Sequence, residues 1–287
     1  MGMVETVGLV LHPQRDSKVA IDTIVEWARA HGVTVLGLPD EVGRIDCSAV
    51  SVDTDTLVDR ADLLVSLGGD GTMLRTMRLL TGRPTPILGV NLGKLGFLAE
   101  IDVEDLPFAL SAIDSHQYTV EPRMAVRATF GEGKTVTAFN DVALVRIPGD
   151  GLSAVAISVE GHPFVRYAAD AVIVATSTGS TAYSFSAGGP IVSPTVEGFL
   201  VVPAAAHSAF NRALVLSADE EVDLEVLPTS GRLAMEVDGA IGAHLSPGDR
   251  LTVTAVRAAA WVVRLGATSF YERARRKLRV NGSAEVD

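Results

Sequence analysis

The chain has 287 residues, about twice the ~150 residues of a typical domain, so one large or two ordinary domains are expected. Apolar residues make up 47% and charged residues 21%, which is a globular composition and excludes a disordered or fibrous protein. The 24 Lys and Arg residues against 35 Asp and Glu residues leave a net charge of −11. This charge disfavours nucleic acid and anionic membranes as partners and favours a small molecule. The single cysteine, Cys47, excludes an intramolecular disulfide. The sequence also shows no basic leader and no apolar run of ~20 residues, so the protein is predicted to be cytoplasmic.

The first third of the chain alternates strand and helix patterns. Strands are predicted at residues 6–11, 34–38, 63–67 and 87–90, and helices at residues 20–31 and 72–80. Asp102 is predicted to cap a further helix that leads towards His116. This alternation predicts a Rossmann-like α/β domain with a parallel sheet covered by helices.

After Tyr118 the apolar residues change to a period of two. Met124, Val126 and Ala128 alternate with a polar face that carries Glu121 and Arg123, as in a half-buried strand. Similar stretches at 155–159, 222–226 and 251–253, separated by Pro-Gly turns, predict a β-rich, β-sandwich-like domain of mostly antiparallel strands. The expected domains are therefore 1–118 and 119–265.

Residues 270–279 form a basic pattern typical of a helix. We expect this C-terminal segment, 266–287, to pack back on the first domain. Its cations form a cluster, which is interpreted as complementing the helix dipole rather than as a nucleic-acid patch. The cluster comprises Arg273, Arg275, Arg276, Lys277 and Arg279.

A glycine-rich turn follows the third of the predicted parallel strands. Gly68, Gly69 and Gly71 surround Asp70, and Thr72 begins the following helix. Glycines let backbone amides approach a phosphate, and a helix N-terminus favours negative charge. Asp70 would repel a bare phosphate, so its presence indicates a Mg²⁺ ion or an acceptor hydroxyl. The alternative is a tight βα turn with a capping aspartate.

Several common catalytic patterns are absent. The sequence contains no GxxxxGK[ST] loop, no GxGxxG after the first strand, no GxSxG elbow and no HExxH pair. P-loop NTPases, ordinary Rossmann dehydrogenases, serine hydrolases of that type and zinc enzymes are therefore not supported.

A second candidate segment is rich in hydroxyl groups. Residues 176–183 read TSTGSTAY, with six hydroxyl side chains in eight positions, after a buried strand and before a glycine-flanked stretch. Hydroxyl groups donate and accept hydrogen bonds, which suits base edges and ribose oxygens. A flexible Ser/Thr-rich loop is the alternative.

These two segments resemble the NAD kinases when they are taken with GVNLGKLGFL at 89–98 and FNDVAL at 139–144. The order and spacing match from about Gly68 to Leu278. The GGDGT loop alone also occurs in lipid kinases and phosphofructokinases, whereas TGSTAY together with the Asn-Asp pair is far more specific.

The resemblance implies a two-domain phosphotransferase that phosphorylates the 2′-hydroxyl of the adenosine ribose of NAD⁺ to give NADP⁺. It implies ATP or polyphosphate as the phosphoryl donor, and a homodimer or homotetramer. It also implies a divalent metal, expected to be Mg²⁺ bound by the donor phosphates, with Asp70 as a candidate ligand. Asp70 matches the catalytic acid. The residues that match nucleotide-binding positions are Gly68, Gly69, Gly71, Thr72, Arg75, Asn140, Asp141, Asp170, Thr178, Thr181, Ala182, Tyr183, Ser184, Phe185 and Ser186.

Some positions depart from the family pattern. Ala169 and Ala171 replace the usual glycines beside Asp170, Ser177 replaces a proline, and Ala240 follows the later Asp-Gly turn. Alanine would cost stability at positions 169 and 171 if a positive φ were required there. A lipid kinase of the diacylglycerol or sphingosine type, a non-catalytic NADP(H)-binding regulator and a phosphofructokinase-like sugar kinase remain as alternatives.

Overall fold

A computed structural model describes residues 4–44, 47–93, 96–266 and 269–280. Its contacts divide the chain into two compact units. Unit 1 comprises Met1–Pro122 and Ala260–Asp287, and unit 2 comprises Arg123–Ala259. Within the described ranges, no helix combines the length and apolar character needed to cross a membrane.

The elements follow one another in chain order. The first part of the chain contains β1 (Thr6–Leu11), α1 (Lys18–His31), β2 (Thr34–Gly37), α2 (Pro39–Val42), β3 (Val50–Ser51), α3 (Thr54–Arg60), β4 (Leu63–Gly68), α4 (Asp70–Leu80), β5 (Pro86–Asn91), β6 (Ile101–Asp102) and α5 (Leu106–Asp114). The strands that follow are β7 (Thr119–Phe130), β8 (Lys134–Ala138), β9 (Asp141–Arg146), β10 (Ser153–Val159), β11 (His162–Ala169) and β12 (Ala171–Thr176). The last part contains α6 (Tyr183–Ser186), β13 (Gly198–Ala204), β14 (Leu214–Ser217), β15 (Glu221–Val226), β16 (Leu233–Val237), β17 (Ala240–Leu245), β18 (Arg250–Arg264) and α7 (Phe270–Leu278).

Unit 1 contains the parallel sheet predicted from the alternating pattern. Its strands lie in the order β3-β2-β1-β4-β5, and the end of β18 adds a parallel neighbour to β5 through Trp261 and Val262. Helix α1 buries Ile21 and Ile24 in the unit 1 core. The prediction of a Rossmann-like α/β domain is confirmed, because the sheet is parallel and helices alternate with its strands along the chain. The central strands β4 and β5 are buried along their whole length, so both faces of the sheet need covering.

The prediction that Asp102 caps a helix is wrong in detail. A 3₁₀ turn over Val103–Asp105 precedes α5, and the Asp102 side chain makes no capping hydrogen bond. The Oδ1 atom of Asp102 instead accepts a hydrogen bond from the Asn91 side chain, at 2.7 Å. The carboxylate therefore joins the ends of two paired strands, β5 and β6.

Unit 2 is built from antiparallel strands. One sheet has the order β14-β13-β12-β9-β16-β17, and a second group pairs β11, β10, β15 and the first part of β18. Residues of both groups, including Val142, Val174, Val155 and Leu224, share one apolar core. The predicted β-rich domain is confirmed. Arg123, which the period-two pattern places on the polar face, is buried instead.

The parallel register of unit 1 brings three loops to one edge of the sheet. Leu11 lies opposite Leu67, and Gly68 lies opposite Asn91. The segments after β1, β4 and β5 therefore leave the sheet side by side, at the carboxyl edge where open α/β sheets bind ligands.

Candidate active site

Asp70 is the first residue of α4, directly after the turn that ends β4. Gly69 provides the helix N-cap, and Gly68 packs so closely on Thr72 that a Cβ atom at position 68 would overlap the Thr72 hydroxyl. Thr72 itself is buried, whereas Gly71 has open space around it. The glycines therefore let the helix begin close to the strand and keep the loop backbone accessible.

The Asp70 carboxylate is held by the segment that follows β5. The backbone N–H of Phe97 donates to both carboxylate oxygens, at 3.0 and 3.1 Å, and the N–H of Leu98 donates to Oδ1 at 3.0 Å. A Cβ atom on Gly96 would overlap Oδ1. The side chain nevertheless remains 29% exposed. Asp70 is thus an oriented carboxylate that solvent or a ligand can still reach.

Lys277 of α7 also contacts Asp70. Its Nζ atom lies 3.2 Å from Oδ2 of Asp70 and 4.4 Å from the centre of the Phe97 ring. One helical turn earlier, the buried Arg273 forms an ion pair with Glu100 at 2.7 Å. Lys277 and Arg273 therefore have specific acidic partners outside α7, so the interpretation of the cluster as a complement to the helix dipole is incomplete.

Glu100 is the charge on which the C-terminal segment is anchored. Its Oε2 atom accepts from Arg264 and from Arg273, each at 2.7 Å, and Oε1 accepts from the Leu265 N–H at 2.9 Å. Arg264 also reaches Glu121, at 2.8 Å. Buried charges are tolerated when they are paired and hydrogen-bonded in this way. The network fixes the place of α7 within unit 1.

Arg75 follows Asp70 on α4, one and a half turns along. Its Nη2 atom donates to the Leu11 carbonyl at 2.7 Å and lies 2.5 Å from Oε1 of the buried Glu41. Glu41 in turn accepts from the Leu11 N–H. The structure thus ties this predicted nucleotide-binding residue to the end of β1, while part of the guanidinium remains exposed.

A basic cleft lies beside the glycine-rich loop. Its described lining residues are His12, Pro13, Arg15, Gly69, Asp70, Gly71, Thr72, Arg75 and Arg78. Asp70 is the only acid among these lining residues. The cleft therefore combines backbone amides at a helix start with several cations, a combination suited to phosphate groups.

The loop after β1 is shaped by His12. The Nδ1 atom of His12 accepts hydrogen bonds from the backbone N–H groups of Gln14 and Arg15, at 3.1 and 3.0 Å. Burial, and then the charges of Arg15, Arg75 and Arg44, lower the pKa of His12, which favours this neutral acceptor form. The folded loop brings the Arg15 guanidinium against Gly93 and towards Gly69.

In unit 2, Asp238 clamps the Asn140–Asp141 segment. Its carboxylate accepts from the backbone N–H groups of Phe139, Asn140 and Asp141, at 3.2, 2.7 and 3.2 Å. Asp238 has a positive φ of 48°, and Gly239 follows at 80°, in the turn between β16 and β17. This left-handed turn aims the Asp238 carboxylate at three backbone donors almost a hundred residues earlier in the chain.

The same segment is packed against the start of the hydroxyl-rich loop. The Thr176 hydroxyl donates to the Phe139 carbonyl at 2.6 Å and accepts from the Gly179 N–H at 2.9 Å. A Cβ atom on Gly179 would overlap the Asn140 carbonyl oxygen. The loop is therefore held in place, and the alternative of a flexible Ser/Thr-rich loop is not supported.

Asp141 is a buried carboxyl group next to two other acids. Burial, followed by the charges of Asp238 and Glu236, raises the pKa of Asp141 from 3.8 to about 7, and a hydrogen bond from the Tyr183 backbone opposes this rise. Burial also raises the pKa of Tyr183, and the charges of Glu236, Asp170 and Asp141 add to that effect. Close acids that share one region lose protons with difficulty because each charge disfavours the next.

The hydroxyl side chains of the loop fall into two groups. Ser177 and Ser180 bond to carbonyls of residues 192–194 and so hold the loop together. Thr178 and Ser184 bury hydroxyls that have no hydrogen-bond partner within the described part of the chain. The remaining predicted positions lie in the 3₁₀ turn Thr178–Thr181, at Ala182 and in the short helix α6. Thr181, Ala182 and Tyr183 are partly exposed, and Phe185 and Ser186 are exposed.

Asp170 lies between β11 and β12. It is exposed and pairs with Arg146 at 2.5 Å. Neither Ala169 nor Ala171 has a positive φ, since both lie in extended strands. The condition under which alanine would cost stability at these two positions, a positive φ, is therefore not met.

Sequence patterns missed three groups that the structure places at these sites. Arg15 in unit 1, Lys277 in unit 1 and the clamping role of Asp238 in unit 2 each depend on contacts between distant segments. The sequence signals for these groups were the Asp238-Gly239 pair and the basic pattern at 270–279, and neither indicated the contact that Asp238 or Lys277 makes. Of the quoted 89–98 segment, Lys94 and Leu95 lie outside the described residues. Over the same described ranges, no cluster of three or more His, Cys, Asp or Glu side chains could hold a metal ion.

Comparisons with known proteins identify one family in both units of the chain. The ATP-NAD kinase N-terminal domain family matches residues 7–118, and the ATP-NAD kinase C-terminal domain family matches residues 139–265. The chain is 34% identical to an NAD kinase of Desulforamulus reducens, covering 96% of this chain and 98% of that one, and 35% identical to an NAD kinase of Moorella thermoacetica, covering 99% and 92%.

Two solved structures are also similar. A yeast NADH kinase in complex with NADH matches with a TM-score of 0.88 and 25% identity, covering all of this chain and 91% of that one. An NAD kinase from Archaeoglobus fulgidus in complex with ATP matches with a TM-score of 0.75 and 26% identity, covering 96% and 100%.

Proposed function

Because the chain belongs to the NAD kinase family and is a phosphotransferase that phosphorylates NAD, we propose a specific reaction for it. It transfers the terminal phosphoryl group of ATP to the 2′-hydroxyl of the adenosine ribose of NAD⁺, giving NADP⁺. The observation that carries the proposal is the Asp70 carboxylate, held by two backbone N–H groups at the edge of a basic cleft and still partly exposed.

The donor subsite is assigned to the basic cleft of unit 1. The backbone N–H groups of Gly69, Asp70 and Gly71 at the start of α4 provide hydrogen-bond donors for phosphate oxygens, whereas the Thr72 N–H already donates to the Gly69 carbonyl at 3.0 Å. Arg15 and Arg78 line the same cleft and add positive charge. Arg75, which is bound to Glu41, is assigned to supporting the cleft more than to contacting the donor. Inorganic polyphosphate presents the same repeating anionic groups, so it is the second candidate donor.

The acceptor subsite is assigned to the Asn140–Asp141 segment and the loop after β12. Asn140 has a partly exposed side chain on a backbone that is fixed by Asp238 and Gly179. The unpaired hydroxyl of Thr178 and the partly exposed Tyr183 lie on the adjoining loop. Such groups suit the amide, base and ribose oxygens of a dinucleotide. Asp170 is assigned to the same subsite because its charge acts on Tyr183.

Asp70 is assigned to the acceptor hydroxyl. A carboxylate is too weak a base to remove an alcohol proton in advance. In the loose transition state of phosphoryl transfer, the new bond from the 2′-oxygen to the γ-phosphorus forms as the bond to the β–γ bridging oxygen breaks. ADP leaves with that bridging oxygen, and the hydroxyl proton passes to Asp70 late in the step. The fixed orientation of Asp70 is suited to this role because its carboxylate needs no reorganisation.

A divalent metal, proposed to be Mg²⁺, is assigned to the donor phosphates. The described residues offer no cluster of three metal-binding side chains, so the fit is to an ion brought largely by the phosphates, with Asp70 as a hard oxygen ligand from the protein. When bound there, such an ion neutralises charge that develops on the phosphoryl oxygens.

Two further features complete the proposal. We place the protein in the cytoplasm, where its single cysteine would stay reduced, and we expect a homodimer or homotetramer. Light scattering of the purified protein at several concentrations measures the subunit number directly, and a monomer at all concentrations would contradict the expectation.

The proposed reaction is tested by following NADP⁺ formation from NAD⁺, ATP and Mg²⁺ with an NADP-specific coupled dehydrogenase. The wild type is expected to form NADP⁺, and Asp70→Asn is expected to lose about 10²–10⁴-fold in kcat while binding NAD⁺ normally by calorimetry. Polyphosphate in place of ATP and NADH in place of NAD⁺ are run in parallel. NAD⁺ binding without any NADP⁺ formation by the wild type would refute the proposal and favour a non-catalytic regulator.

A further inference from the structure

Asp70 presents an electrostatic problem at the donor subsite. It is the single acid among the described lining residues of a cleft whose other charged side chains are Arg15, Arg75 and Arg78. A carboxylate a few ångströms from a triphosphate repels it, and this repulsion would oppose donor binding unless another charge balances it.

The arginines of the cleft and a metal ion on the phosphates would place positive charge on the donor side of Asp70, but the ion pair that the structure shows for this carboxylate comes from outside the cleft. Arg75, the nearest basic residue along α4, is directed to Glu41 and the Leu11 carbonyl. Within residues 4–44, 47–93, 96–266 and 269–280, Lys277 is the one cationic side chain that lies within hydrogen-bonding distance of the Asp70 carboxylate. It comes from the C-terminal helix, 207 positions later in the chain.

The position of Lys277 is built into the fold of unit 1. Arg273, four residues earlier on the same face of α7, is 4% exposed and paired with Glu100. Arg264 holds the same Glu100 from the end of β18. With the helix anchored, the Lys277 ammonium lies between Oδ2 of Asp70 and the face of the Phe97 ring. An ammonium over an aromatic ring gains a further attraction.

From this geometry we propose that Lys277 is a positioning residue for phosphoryl transfer, which acts through Asp70 as its counter-ion so that the donor phosphates can bind beside the catalytic carboxylate. The inference rests on the proposed function, because it takes the basic cleft to be the donor subsite. The backbone donors of Phe97 and Leu98 orient the carboxylate, whereas Lys277 balances its charge.

The test compares donor and acceptor binding in variants of the full-length protein. Lys277→Met removes the charge and keeps most of the side chain that packs on Phe97, and Lys277→Arg keeps the charge. Arg275→Met is the matched control, since it removes a cation from the same helix at an exposed position. We expect Lys277→Met to raise the KM and the Kd for MgATP about threefold to tenfold, with the KM for NAD⁺ within about twofold of the wild type.

Lys277→Arg is expected to restore donor binding to within about twofold of the wild type, and Arg275→Met is expected to leave it unchanged. In an Asp70→Asn background, where there is no carboxylate to balance, Lys277→Met should change the Kd for MgATP by less than about twofold. Calorimetry measures this value without any need for turnover.

Three results would overturn the inference. These are an unchanged Kd for MgATP in Lys277→Met, an equal weakening in the Asp70→Asn background, and an equal rise of both KM values. The second would mean that Lys277 contacts the donor directly, and the third that it serves only the fold. Each is distinct from a failure of the proposed function, which is an absence of NADP⁺ formation by the wild type.

Discussion

Replacing Asp141 with asparagine tests whether the burial of this carboxyl group controls the stability of unit 2. Burial and the neighbouring Asp238 and Glu236 raise the pKa of Asp141 from 3.8 to about 7. The folded state therefore holds the proton more tightly than the unfolded chain does. Between pH 3.8 and about pH 7, the unfolded chain has lost this proton and the folded state has kept it, so stability falls as the pH rises through this range.

The magnitude follows from the separation of the two pKa values. At about 1.4 kcal/mol per pH unit, the change from 3.8 to about 7 corresponds to about 4 kcal/mol of unfolding free energy that the wild type loses between pH 4 and pH 8. Asparagine has nearly the shape of the protonated acid and does not titrate. The stability of Asp141→Asn relative to the wild type should therefore rise by about 4 kcal/mol over the same interval.

Differential scanning calorimetry across pH 4 to 8 measures this effect as a difference in Tm. A shift of about 10 °C in favour of the variant is expected at pH 8 relative to pH 4. Taking the difference between the two proteins at each pH removes the titration of groups they share, and the exposed Asp55→Asn serves as a control for the substitution itself. A Tm difference that stays constant across the range would refute the reasoning.

Three other substitutions test the architecture of the sites. Gly96→Ala should displace the Asp70 carboxylate, because the new Cβ would overlap Oδ1. Steady-state kinetics should then show a fall in kcat of roughly 10²-fold, and an unchanged kcat would contradict the assigned orientation. Glu100→Gln leaves the buried Arg273 and the partly buried Arg264 without their shared carboxylate. It should lower the unfolding free energy by about 3–5 kcal/mol in calorimetric unfolding, and a loss below 1 kcal/mol would be the contrary result. Asp238→Ala frees three backbone donors of the Asn140 segment and should weaken NAD⁺ binding about tenfold in titration calorimetry, so normal affinity would show that the clamp is not needed.

Local patterns in the sequence were sufficient for much of the architecture. The apolar runs of β1 and β4 and the helical spacing before Gly32 predict the α/β unit because a strand or helix shows its period within about ten residues. The GGDGT and TGSTAY segments are contiguous, so the loop that contains Asp70 and the loop that contains Thr178 could be identified with no knowledge of the fold.

Capping and burial were harder to predict at single positions. Asp102 has the residue type of a helix cap, yet its carboxylate is taken by Asn91 across the sheet edge. Arg123 alternates with apolar residues as an exposed residue would, yet it is buried. Side chains of this kind can satisfy their hydrogen bonds with local or remote partners, and local periodicity does not distinguish the two.

The charges around the two loops were decided only by the tertiary structure. Lys277 meets Asp70 across 207 positions, Arg273 meets Glu100 across 173, and Asp238 meets the Asn140 backbone across 98. Such pairs leave no periodic trace in a sequence, because an ion pair needs only two opposite charges that the fold happens to bring together. The sequence by itself identified Asp70, Asn140 and the hydroxyl-rich loop as candidates, whereas their orientation, their burial and the balance of their charges exist only once the strands and the C-terminal helix have packed.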